Sequence, residues 1–312
     1  MLYFKKKILI TGSEGFLGNH LKNYLSKKNF LIYCLQKKKV KYKNLNNIKY
    51  LQCDIKNKNL LKKFILAIKP HYVFHLAAKS HPSFSFKKPI ETLITNAIGT
   101  ANLLNSIVES KLNPKIVIAC SSAQYGTRTF NELPLKENDG FVPDHIYGLS
   151  KYFQGSLGRQ YVKMFNLKIV NAIIFNTSGP GKKNDIFFDI SKQFLRQKKN
   201  KKIYIVCGNL KNQRDFLHYE DTVKALYILA RKGKSGEDYN ISTGKLIKIN
   251  QLINYIKFKS RKDVKIIQTK EKFRKFDEKY ISGDSRKLNK IGWSAKKNYK
   301  HILDDMCFNL LN

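Results

Sequence analysis

Tyr147 and Lys151 stand four residues apart in the run Tyr147-Gly148-Leu149-Ser150-Lys151, a spacing that stacks them on one face of a helix. An ammonium beside a phenol stabilises phenolate. The pair is therefore expected to draw the Tyr147 pKa down from its ordinary ~10 and to make the phenol a general acid or base. Such a pair also arises by chance on surface helices, and it gains weight from Cys120-Ser121-Ser122 at the end of an apolar strand upstream. Ser121, with Ser122 as the alternative, could hydrogen-bond a substrate oxygen beside the phenol.

A second constellation is Gly12-Ser13-Glu14-Gly15-Phe16-Leu17-Gly18, between an apolar strand and a helix-period stretch. Gly12 permits the tight turn, Gly15 lets backbone N–H groups approach a pyrophosphate, and Gly18 allows close helix–strand packing. This reads as a dinucleotide cradle rather than three coincidental turn glycines. A unit selective for NAD carries an acid at the end of its second strand. Here that strand ends Leu35-Gln36-Lys37-Lys38-Lys39, which predicts NADPH, with NADH as the weaker option.

The elements that must hold these groups follow from periodicity. Apolar runs suited to buried strands, at 8–10, 30–35, 72–76, 116–120 and 169–175, alternate with stretches of helical period at 17–25, 60–68, 93–108 and 147–164. Repeated βαβ units predict an α/β fold with a doubly wound parallel sheet of Rossmann type. The regularity loosens after Phe175, and Gly179-Pro180-Gly181 reads as a loop. We expect a dinucleotide domain over 1–175 with a return segment at about 214–244, and a smaller mixed α/β substrate lobe over 176–213 and 245–312.

Composition limits the partners. Hydrophobic content of 42% and only 7 Pro exclude a disordered or collagen-like chain. Sixty Lys+Arg against 22 Asp+Glu give a net charge of +38, and only eight of the cations are Arg. Lysine spread along the whole chain reads as compositional drift rather than a nucleic-acid surface, although it favours phosphorylated ligands. Five cysteines without metal spacing predict reduced, buried thiols and no metal site. No signal-peptide core and no run near ~18 apolar residues is found, so a soluble, cytoplasmic protein is expected.

Taken together, these residues resemble the extended short-chain dehydrogenase/reductases that act on nucleotide sugars. The likeness runs through Thr11-Gly12 to Gly18, Asp54-Ile55, His75-Leu76-Ala77-Ala78, Asn96 with Gly99 to Leu104, Ser121 to Gly126, and Tyr147 to Lys151. It implies that Phe16 and Leu17 join the glycines at the pyrophosphate, and that Gln36 and Lys37 face the adenosine ribose. Asp54 and Ile55 would hold the adenine, while Leu76, Ala77, Ala78 and Asn96 would border the cofactor. Lys151 would touch the nicotinamide ribose, and Tyr147 with Ser121 would handle the sugar C4 oxygen.

The segments Phe175 to Gly181, Lys192-Gln193-Phe194, Gly208-Asn209-Leu210 and Gln213 to Phe216 are similar to the substrate half of the GDP-4-keto-6-deoxy-mannose reductases, as is Arg274 to Trp293. That likeness implies Asn176, Lys192, Arg214 and Arg274 as diphosphate ligands. Related 4,6-dehydratases carry an acid two residues after the active-site Ser/Thr, where this chain has Ala123, so dehydration is disfavoured. The expected reaction is NADPH-dependent reduction of GDP-4-keto-6-deoxy-D-mannose to GDP-D-rhamnose in supply of a polysaccharide. The rivals are a nucleotide-sugar 4-epimerase with retained NAD and a non-catalytic dinucleotide-binding protein. The resemblance also implies a homodimer through a four-helix interface built on helix 149–164.

Remaining residues receive plainer readings. His71 and His75 are read as core or strand-end histidines rather than a metal pair. His81 and Ser83 follow the strand at 72–76 within reach of the sugar, with an ordinary solvated loop as the alternative. Arg214 is preferred as a substrate ligand over an ion pair with Asp215 or Asp221, and Trp293 is expected in the packing of the second lobe.

Overall fold

Strand and helix alternate from the start of the chain, and the computed structural model describes residues 6–37, 47–269, 271 and 278–308. The first unit comprises β1 (Lys6–Thr11), α1 (Phe16–Ser26), β2 (Phe30–Gln36), β3 (Ile48–Gln52), α2 (Lys58–Ile68) and β4 (Tyr72–His75). Short helices α3 (Pro82–Lys87) and α4 (Pro89–Leu93) lead through a π turn at Ile94–Ile98 into α5 (Gly99–Glu109). Then come β5 (Lys115–Ser121), the long α6 (Ile146–Phe165), β6 (Lys168–Ile174) and β7 (Asn176–Ser178). The remainder is α7 (Ile186–Gln197), β8 (Lys202–Cys207), β9 (Gln213–His218), α8 (Tyr219–Lys232), β10 (Asp238–Ile241), β11 (Leu246–Lys248), α9 (Ile249–Ser260), β12 (Asp263–Gln268), β13 (Tyr280–Ile281), α10 (Arg286–Asn289) and α11 (Tyr299–Leu303).

Seven parallel strands form the main sheet in the order β3-β2-β1-β4-β5-β6-β10. This is the Rossmann-type doubly wound sheet, and its strand order reverses between β1 and β4, which opens a crevice at their carboxyl ends. Alternation along β1 shows how both faces are used. Ile8 and Ile10 pack with Leu21, Leu25, Val223 and Leu226 of α1 and α8, while Leu9 packs with Leu61, Ile65 and Leu103 of α2 and α5. α2 starts where the Asn57 side chain accepts the Leu60 N–H and stops at Lys69, whose φ of 48° is left-handed.

A second, smaller body packs α7, α9 and α11 against the parallel pair β8–β12 around its own core of Phe187, Ile190, Ile203, Ile205 and Leu252. Between the two bodies, β9 pairs with β7, β11 and β13. The return of the chain to the main sheet is thus made by α8 and β10, whereas β9 belongs to the connecting sheet. Trp293 also departs from expectation. Its ring sits in the core of β1, α1 and α8 rather than in the second lobe, and its indole N–H donates to the Asp221 carbonyl at 2.9 Å.

All five cysteines are buried thiols. His75 is a buried strand-end residue of β4, and His71 accepts the Lys7 N–H at 3.1 Å. Among the described residues no helix is long and apolar enough to cross a membrane, and no cluster of His, Cys, Asp and Glu could hold a metal ion.

Candidate active site

At the end of β1 the backbone of Gly12 turns with φ +72°, and a Cβ there would lie 2.6 Å from Ala77 N. A Cβ on Gly18 would lie 2.1 Å from the Gly12 carbonyl, so α1 can approach β1 only because that position is bare. α1 begins after Gly15 with no side chain capping it and no acid in its first turn. Its leading N–H groups therefore face the cleft, a combination that suits a pyrophosphate. Gly15, Phe16 and Leu17 line one cavity of about 960 Å³. It continues past Gln36, Lys37, Asp54 and Ile55 on one side and Leu76, Ala77 and Ala78 on the other.

Gln36 is buried where an NAD-selective unit would carry its acid. Lys37 lies 3.4 Å from Asp54, whose other oxygen accepts the Lys56 N–H. Burial works to raise the Asp54 pKa, but the Lys56 N–H and the Lys56 and Lys37 ammonium groups overcome it and hold the carboxyl below its ordinary value. Lys38 and Lys39 lie outside the described residues. Asn96 does not border the cavity. It is fully buried behind the wall, where it accepts the Lys79 N–H at 2.7 Å and donates to Ser150, so it shapes the loop after β4 instead.

The reactive end lies where β5 meets α6. Ser121, Ser122 and Ala123 line the cavity together with Tyr147 and Lys151. His145 caps α6 by accepting the Gly148 N–H, and its ring stacks on Tyr147 with centroids 6.1 Å apart. Burial pushes the Tyr147 phenol up to about 12, and the Ser121 hydroxyl offsets only part of this. The expected lowering by Lys151 is not found. The Lys151 ammonium is engaged elsewhere, donating to the Ala119 carbonyl at 2.8 Å and to Gln154 Oε1 at 2.7 Å, and burial takes its own pKa down to about 8.

The far end of the cavity is lined by the second lobe. Asn176 and Arg214 border it, and the Arg214 guanidinium pairs with Glu278 at 2.9 Å, neither Asp215 nor Asp221 being its partner. Asp215 is instead held by Thr243, Gly244 and Ser282. Ser83 borders the cavity and shares a 2.6 Å hydrogen bond with His81, which also meets the Asn184 carbonyl. Lys192 is not brought to the cavity. α7 turns Phe187, Ile190, Ser191 and Phe194 inward, which leaves Lys192 exposed with its ammonium over the Phe188 ring. Arg274 lies outside the described residues.

Sequence reasoning missed Lys182. It lines the cavity with its ammonium 5.2 Å from the Phe16 ring centroid, and burial lowers its pKa while Asp185 opposes. Its loop is fastened to α1 by the contact of His20 Nε2 with the Pro180 carbonyl at 2.8 Å. Its place directly after Gly179-Pro180-Gly181 marks a loop but gives no sign of the way the side chain turns. Asn209, within the Gly208-Asn209-Leu210 segment, also lines this end, as do Cys207, Asn212 and Ile249, which carry no motif of their own.

A family model described as GDP-mannose 4,6 dehydratase matches residues 9–306. The chain belongs to this family. It is 32% identical to the dTDP-D-glucose 4,6-dehydratase of Dictyostelium discoideum over 77% of this chain, a match that spans only 59% of that relative. It is 26% identical to the GDP-6-deoxy-D-mannose reductase of Pseudomonas aeruginosa, covering 96% of this chain and 97% of the relative. Among solved structures, the UDP-glucose 4-epimerase of Thermotoga maritima with UDP-glucose superposes with a TM-score of 0.86 at 25% identity, over 96% of this chain and 97% of that one.

Proposed function

We propose that this protein reduces the 4-keto group of a nucleotide-linked 6-deoxy sugar, with GDP as the nucleotide and NADPH as the reductant. One observation carries the reading: a single cleft joins the dinucleotide cradle at Gly12 to Gly18 with Ser121, Tyr147 and Lys151, and Ala123 contributes a methyl where a dehydratase carries its acid. When bound, the dinucleotide supplies a hydride to the carbonyl carbon. Ser121 donates to the carbonyl oxygen and orients it. Tyr147 gives that oxygen its phenolic proton as negative charge builds there. Burial favours this direction, because a phenol raised to about 12 is protonated at neutral pH and ready to act as an acid.

Asn176, Arg214, Arg274 and Lys182 are the chain's groups for the diphosphate, and Lys192, exposed on α7, drops out of that set. Buried Gln36 and the neighbouring Lys37 support NADPH over NADH. The full-length likeness to a GDP-6-deoxy-D-mannose reductase supports the nucleotide and the sugar. A 4-epimerase is favoured by a separate observation, the superposition on an enzyme of that name. The reading includes a homodimer formed through α5 and α6.

The deciding experiment follows reduced-nicotinamide absorbance with GDP-4-keto-6-deoxy-mannose made in situ. Rapid oxidation of NADPH, lost by about 10²-fold or more in Tyr147→Phe with cofactor affinity unchanged, is the expected result. Silence with NADPH and NADH, together with tightly retained NAD and interconversion of C4 epimers, would replace the reductase by the epimerase.

A further inference from the structure

Behind the cleft a chain of buried polar groups links the catalytic lysine to the start of the phosphate loop, and its proton directions can be assigned. Thr100 Oγ1 donates its one proton to the Asn96 carbonyl at 2.5 Å. It therefore accepts from its other two neighbours, Gln154 Nε2 at 2.7 Å and His75 Nε2 at 2.8 Å. His75 is thus neutral and protonated on Nε2, which leaves Nδ1 to accept from the Thr11 hydroxyl at 2.8 Å. Thr11 Oγ1 in turn accepts the Ala77 N–H at 3.3 Å. The hydroxyl and imidazole protons each have an acceptor, while Gln154 Nε2 and His75 Nε2 stand 3.4 Å apart as two donors that share Thr100, and the reverse polarity would leave the Thr11 hydroxyl without an acceptor among the described residues.

This assignment fixes the amide of Gln154. With Nε2 donating to Thr100, Oε1 must face Lys151, which it meets at 2.7 Å, and a flipped amide would set NH₂ against the ammonium. Lys151 has two acceptors among the described residues, the Ala119 carbonyl and Gln154 Oε1, so two of its three protons are used and one is left for the cleft. We propose that Gln154 is a positioning residue for Lys151, holding the ammonium so that its remaining proton points to the bound dinucleotide and the Tyr147 phenol. The proposal rests on the functional reading above for the role of Lys151.

Among the described residues the ionisable groups beside Lys151 are His75 on β4, Cys120 on β5 and, one helical turn away, Tyr147 on α6 itself. All three are neutral at pH 7, with burial taking His75 down to about 3 and Cys120 and Tyr147 up to about 12. A change at position 154 is therefore read by Lys151 without a competing charge.

The test measures acetylation of Lys151 by acetic anhydride against pH, by peptide mass spectrometry, in the full chain and in Gln154→Glu and Gln154→Met, alongside kcat and NADPH affinity. A carboxylate at this distance should move the Lys151 midpoint up by about 1–3 pH units. Removal of the acceptor in Gln154→Met should move it down and lower kcat about tenfold with NADPH affinity little changed. A midpoint unmoved in the folded Glu variant, whose length and acceptor are conserved, overturns the proposal. So does a midpoint that moves the same way in both variants. Shifted midpoints without turnover on any keto sugar would leave Gln154 in its role and overturn the reductase reading instead.

Discussion

His75 carries a titration that the folded chain suppresses. Enclosed by Thr11, Thr100 and Gln154 and fully buried, its imidazole stays neutral down to about pH 3 against an ordinary 6.5, with burial as the main cause and Lys151 adding to it. Below about pH 6.5 the unfolded chain binds a proton that the folded chain refuses. The His75 contribution to stability therefore falls as pH falls, by about 1.4 kcal/mol per unit until pH 3, and has no such slope above pH 6.5. His75→Gln removes this titration while leaving the carboxylates and the other histidines in place. The stability difference between the two proteins, from urea melts, is expected to change by about 2 kcal/mol in favour of the variant between pH 6.5 and pH 5. A constant difference would mean that His75 titrates normally. The spacing of Tyr147 and Lys151 was legible in the chain because it is local, whereas the direction of the Tyr147 shift was not. That direction depends on how deeply β5 and α6 bury the phenol, which is a property of the assembled sheet.

At the scale of elements, the glycines of the α1 turn divide into two roles. A Cβ at Gly18 would meet backbone at 2.1 Å and cannot be relieved by a side-chain movement, while one at Gly15, with an ordinary φ of −68°, meets the Gly12 carbonyl at 3.2 Å. Gly18→Ala should therefore lower both Tm and NADPH affinity. Gly15→Ala should keep Tm within a few degrees and still weaken NADPH by about tenfold or more, since the added methyl stands where the phosphate approaches. Thermal melts and fluorescence titration read the two effects separately, and equal losses of Tm would refute the division. Strands and helices of the main sheet were readable because each signal lies within one short run, as in Ile8–Ile10 and in Leu61, Ile65 and Ile68. Lys192 was readable in principle, since the inward spacing of Phe187, Ile190 and Phe194 already leaves it on the other face. Lys182 and Trp293 were not, because each is placed by contacts with an element far away in sequence, α1 for one and the main core for the other.

Among the described residues, a row of apolar side chains on the first body is left uncovered by the fold. Ile90 on α4 and Ile94 and Ile98 on the π turn that leads into α5 recur every four residues, and are 71%, 41% and 54% exposed. Phe153 on α6, 49% exposed, adds to the apolar surface of the helices expected at the homodimer interface. Isolated exposed apolar residues need no partner, whereas a contiguous stripe is a candidate interaction surface. The net charge of +38 per chain opposes self-association, so the two terms compete and salt decides between them. Burial of the stripe is insensitive to salt, whereas repulsion between two cationic chains is screened over ~8 Å at physiological ionic strength. Light scattering should give the mass of two chains at micromolar concentration, with association tightening as salt rises from about 20 to 300 mM. Ile94→Glu with Phe153→Glu should give a single-chain mass at every salt concentration while NADPH affinity stays within about threefold, since neither residue lines the cleft. A single-chain mass for the unaltered protein at high salt, or weaker association as salt is added, would remove α5 and α6 as an interface.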